Sequence, residues 1–72
     1  MEEIAKYNRI AETLSDEGRT QKWLAQKLGI SANTMSNWCT QRAQPSLSRL
    51  FQIADLLSVD PCVLLEKKRK EK

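Results

Sequence analysis

Apolar positions recur at steps of three and four along almost the whole chain, and no stretch alternates with the period of two that marks a strand. Ile4, Tyr7, Ile10, Ala11 and Leu14 predict a first helix over about 3–17, with Gly18 as its stop and Glu2 and Glu3 suited to its positive end. Thr20 is a capping residue ahead of a second helix over 21–28, in which Leu24, Ala25 and Leu28 share one face. Gly29 ends it, because glycine accepts the left-handed backbone of a helix C-terminus, and Ile30 follows as an apolar plug. Ser31 caps a third helix over 32–39, with Met35 and Trp38 on its inner face. The polar run TQRAQP then breaks the pattern, since Pro45 disfavours helix at Gln44. Ser46 opens a fourth helix over 47–57, carrying Leu47, Leu50, Phe51, Ile53, Ala54 and Leu57. That apolar face is wide and implies contact on more than one side. Asp60 caps a fifth helix over 61–66, with Pro61 at its favoured first position and Cys62 to Leu65 as a short apolar run. The expected architecture is all-α: a compact five-helix bundle, one domain over 1–65, and a charged, frayed tail over 66–72.

At 72 residues the core is small, so a partner chain would add needed stability. No apolar run reaches the length of a membrane span, and the acidic start MEEIAKYN lacks the order of a signal peptide. A cytoplasmic protein is expected. Cys39 and Cys62 are far apart and come without a histidine, so no metal site is expected and the thiols read as ordinary apolar side chains. With no phosphate-cradling glycine loop either, neither a cofactor nor an enzymatic activity is expected.

Charge changes the picture through its distribution. The net charge is only +3, yet Gly18 to Ala54 holds five bases and no acid. Inside that block lie the second and third helices, joined at a glycine bend, which is the helix-turn-helix pattern. A segment free of acids around a compact polar helix face points to a polyanion. Asn33 and Asn37, four apart, lie on one face, and Asn pairs bidentately with adenine; the bland alternative is two solvated amides. Ala32 either meets a thymine methyl or is simply a good helix former. Gln21 opens a helix, where free N–H groups favour an anion. Arg42, just beyond the third helix, is either a phosphate or minor-groove contact or a solvated loop charge. Lys22, Lys27 and Arg49 add field more than contacts. Trp38 sits at a core position.

These residues resemble the Cro/cI-type (XRE-like) helix-turn-helix transcription regulators from about Gly18 to Leu65. The matching positions are Thr20-Gln21, Leu24-Ala25, Leu28-Gly29-Ile30-Ser31, Thr34-Met35-Ser36 and Trp38. They continue through Pro45-Ser46-Leu47, Ile53-Ala54, Leu57, Val59 and Leu64-Leu65. Trp23 and the Trp38-Cys39 pair are similar to small stand-alone bacterial members. The resemblance implies a lambda-repressor-like domain that binds double-stranded DNA as a homodimer on a two-fold symmetric operator. It implies base contacts from Ala32, Asn33, Ser36 and Asn37, with phosphate contacts from Gln21, Thr34, Thr40 and Arg42; Lys22, a charge next to Gln21, is added to the expected phosphate set. Three positions depart from the family pattern. Leu14 and Cys39 replace a frequent Arg–Glu pair, so an apolar contact is expected there. Gln41 stands where glycine is common, and Arg19 where an apolar residue is common. An antitoxin-like chain whose main partner is a protein is the rival reading, on the breadth of the fourth helix's apolar face.

Overall fold

The structure, a computed structural model, describes residues 6–66. Four α-helices follow in order: α1 (Ile10–Asp16), α2 (Gln21–Leu28), α3 (Ala32–Cys39) and α4 (Leu47–Leu57), and a 3-10 turn spans Pro61–Leu64. The capping signals act as their chemistry dictates. Thr20 accepts from the Trp23 N–H, Ser31 from Thr34, Ser46 from Arg49 and Asp60 from Cys62, each satisfying an N–H that the helix itself leaves free. Gly29 closes α2 at φ 71°, and the Ile30 N–H turns back onto the Ala25 carbonyl.

The five-helix expectation is corrected to four. At the fifth position Pro61 starts a single 3-10 turn that ends at Leu64, and Leu65 is already extended. So short a run cannot offset the cost of nucleating an α-helix. The first helix is also shorter than its periodicity implies. Residues 6–9 are not helical, and the expected span 3–5 lies outside the described residues, as does most of the 66–72 tail. Asn8 instead pairs with Leu65 in an isolated antiparallel bridge, with Arg9 N–H to the Leu64 carbonyl at 2.7 Å and Glu66 N–H to the Tyr7 carbonyl at 2.9 Å. Tyr7, expected on an inner face, is 62 % exposed.

One core joins all four helices and the 3-10 turn: Ile10 and Leu14 from α1, Leu24 and Ala25 from α2, Met35 and Trp38 from α3, Leu50, Ile53, Ala54 and Leu57 from α4, and Leu64. Cys39 packs against the same cluster that holds Leu14, so apolar packing serves where an ion pair is common in the resembling family. Ile30 plugs the α2–α3 corner as its sequence position implied. On α4 only part of the apolar face is used, since Leu47 is 70 % and Phe51 52 % exposed.

Gln41 follows α3 with φ 68°, a left-handed backbone on a non-glycine residue that costs roughly 1–2 kcal/mol. Its side chain is bonded into the start of the chain, which offsets that strain.

Candidate nucleic-acid interface

α3 turns Met35 and Trp38 into the core, and its 100° per residue then fixes what the opposite arc presents. That arc carries Ala32, Asn33, Ser36 and Asn37. Ala32, Asn33 and Ser36 are exposed and Asn37 is half-buried. No acid stands on α3. Among the described residues neither Asn33 nor Asn37 has its side-chain amide in a hydrogen bond, so donors and acceptors remain for a base edge. The Asn37 carbonyl is occupied, accepting from the Arg42 and Ala43 N–H groups at 2.9 and 3.2 Å. These bonds fold the linker back onto the last turn of α3.

α2 packs against α3, and its first turn is polar. Gln21 and Lys22 are exposed there, at the end where helical N–H groups favour an anion. Arg19 joins them, with its guanidinium 4.5 Å from the Trp23 ring centroid. Such a cation–π contact is worth about 0.5–1 kcal/mol at the surface and holds the charge near Gln21 and Lys22. Sequence reasoning leaves Arg19 out of the site; its one signal is an arginine four residues ahead of a tryptophan across a helix start. Trp23 itself is half-buried against the core and forms Arg19's platform.

The two threonines are engaged locally. Thr34 is half-buried, and its hydroxyl accepts from Ser31 at the cap of α3. Thr40 is exposed, and its hydroxyl donates to the Ser36 carbonyl at 2.8 Å, so its proton already serves the helix. Arg42 is exposed in the linker. Arg49 lies elsewhere and holds two elements together, because its Nη1 donates to the Leu28 carbonyl at 3.1 Å and to Gln52 Oε1 at 3.2 Å. A cation there meets the negative end of α2, a favourable placement that Lys27 in the last turn shares.

Burial, with Glu12 nearby, pushes the Cys39 thiol up to about 11, so it stays protonated at neutral pH and packs as an apolar group. The Lys6 ammonium bonded to Glu12 holds that carboxyl below its ordinary value. No group of three or more metal-ligating side chains occurs among the described residues. No helix among them is long and apolar enough to cross a membrane.

An uncharged outer arc on α3 and a basic start to α2, on two packed helices joined at a glycine bend, have the form of a helix-turn-helix domain. The chain belongs to the helix-turn-helix family of the XRE type, whose pattern it matches over residues 10–64. No curated protein matches it. Among solved structures it is similar to a crystal structure from Bacteroides fragilis of a protein proposed to bind DNA. The two are 47 % identical, with a TM-score of 0.81 over 82 % of this chain and 95 % of that one.

Proposed function

We propose that this protein is a sequence-specific transcription regulator of repressor type, binding double-stranded DNA as a homodimer on a palindromic operator. α3 enters the major groove, Asn33, Ser36, Asn37 and Ala32 meet base edges, and Gln21, Lys22, Thr34, Thr40 and Arg42 meet phosphates, Thr40 by turning its hydroxyl proton from the Ser36 carbonyl to the phosphate. Arg19 is added to the phosphate set. The single observation that carries this reading is the acid-free arc of α3, exposed at Ala32, Asn33 and Ser36, whose Asn33 and Asn37 amides are unbonded among the described residues. A dimer bound there occupies the groove and excludes other proteins from the same site, which is how a repressor acts. Its place of action is the bacterial cytoplasm.

Selection from a random duplex library with the purified protein tests the reading. The expected product is a two-fold symmetric site with half-sites about 34 Å apart. Three cations per protomer (Arg19, Lys22 and Arg42) give about six phosphate contacts in a dimer, hence a slope of roughly −5 in log affinity against log salt. A flat salt response with no enriched sequence sinks the proposal. Within the selected site, Asn37→Ala should relax preference at one base step, a loss of about 1–3 kcal/mol of discrimination. An unchanged base preference removes Asn37 from the readout.

Dimerisation is supported by the apolar surface that the described residues leave uncovered. Tyr7, Leu47 and Leu65 flank a groove of about 200 Å³ that continues to Pro45, and Phe51 follows Leu47 by one turn of α4. Leu47→Glu should shift the sedimenting species from dimer to monomer and weaken operator binding at least about tenfold, since a charge cannot be desolvated there unpaired. A monomeric wild-type protein at high concentration, with and without operator, rules the dimer out. The same surface favours the rival antitoxin-like reading, in which a different protein covers it. A wild-type chain that stays monomeric, together with an unenriched library, supports that rival.

A further inference from the structure

Asn8 lies two residues ahead of α1 and is only 2 % exposed. Its Nδ2 donates to the Trp38 carbonyl at 3.0 Å, in the last turn of α3, and to Gln44 Oε1 at 2.7 Å. Its Oδ1 accepts from the Ile10 N–H at 3.0 Å, which starts α1. Gln41 answers from the linker. Its Oε1 accepts from the Tyr7 and Asn8 N–H groups at 3.0 and 3.3 Å, and its Nε2 donates to the Asn8 carbonyl at 2.9 Å. Gln44 Nε2 donates to Gln41 Oε1 at 3.3 Å. Three amide side chains thus tie the beginning of α1, the carbonyl end of α3 and the linker to α4 into one knot.

We infer that Asn8 and Gln41 are positioning residues for DNA readout, a latch that sets the angle at which α3 presents Asn33, Ser36 and Asn37. The inference rests on the base-reading role proposed for those three residues. An apolar plug would fill the same space, but its contacts are non-directional and tolerate rotation of the helix. Amide hydrogen bonds weaken steeply as they bend, so this knot fixes orientation as well as distance. The left-handed backbone of Gln41 has the same meaning: glycine would relieve the strain, and it would lose the side chain. Asn37 lies one residue before the carbonyl that Asn8 holds, and its own carbonyl anchors the linker from the other side. Readout requires side chains held within about 0.5 Å of the productive pose, and the latch closes one turn from the base-facing arc.

Gln41→Gly separates positioning from folding, because glycine removes the strain together with the bonds and the fold is retained. In the free variant, amide hydrogen exchange at positions 40–42 should quicken at least about tenfold while α4 amides stay as in wild type. In binding, the ratio of affinities for the selected duplex and a scrambled one should fall about tenfold, the discrimination of one base step. Affinity for the scrambled duplex and its salt slope should not move, since no phosphate contact is lost. Asn8→Leu should act in the same direction. Gln41→Asn, which tolerates the left-handed backbone but is one methylene short, should not restore the ratio. Wild-type exchange at 40–42 in Gln41→Gly overturns the latch, and so does an unchanged affinity ratio. If the wild-type protein prefers no duplex, the DNA reading fails on its own, and the exchange rates alone then decide whether the latch holds α3.

Discussion

Met35→Ala should unfold most of the population near 37 °C and abolish DNA binding with it. Met35 is fully buried on the inner face of α3, where it joins a core shared by every helix. Truncating a buried methionine to alanine costs about 2–5 kcal/mol, the transfer loss plus the cavity left behind. A domain of this size rarely holds more than about 3–5 kcal/mol in its single core. Each kcal/mol moves the midpoint of so small a domain by roughly 4–8 °C, so a fall of about 15 °C or more is expected. Circular dichroism melts of the variant and the wild type measure it. A midpoint within a few degrees of wild type would mean that α3 is not propped from behind by this residue.

Asn33→Asp should move stability and binding in opposite directions. Asn33 occupies the second position of α3, after the Ser31 cap, and is exposed. A carboxylate in the first turn interacts favourably with the helix dipole by about 0.3–1 kcal/mol, so the melting midpoint should hold or rise slightly. The same carboxylate cannot donate to adenine N7, losing about 1–3 kcal/mol of pairing. It also faces a polyanion, where like-charge juxtaposition costs several kcal/mol. Affinity for the selected duplex should fall at least about a hundredfold. Fluorescence anisotropy on a labelled duplex, run beside a melt, reads both effects. Equal affinity for wild type and variant would take the first turn of α3 out of the interface.

Much of the helix-turn-helix was legible because its determinants are local. Thr20, Ser31 and Ser46 bond N–H groups three residues on, and Gly29 turns the chain within one helical step. Such contacts need no knowledge of the rest of the fold. The inward residues Leu24, Met35 and Trp38 follow from periodicity, and the outward arc of α3 follows from them by geometry. Periodicity misleads at both ends. Ile4, Tyr7 and Ile10 keep a helical spacing, yet residues 6–9 are drawn out to pair with the segment after the 3-10 turn. Pro61 and four apolar residues look like a helix start, and a start is all they form.

Local chemistry in the sequence thus determined the helix-turn-helix, its caps, its bend and the uncharged outer side of α3. Tertiary structure alone decided how that unit is held. Asn8 and Gln41 are 33 positions apart, and neither carries a periodic signal. Their pairing, the exposure of Tyr7 and Leu47, and the capture of Arg49 by the end of α2 depend on which segments arrive at the same place. Capping and periodicity act between neighbours in the chain, whereas an amide that bonds across the molecule is specified only once the core has brought both ends together.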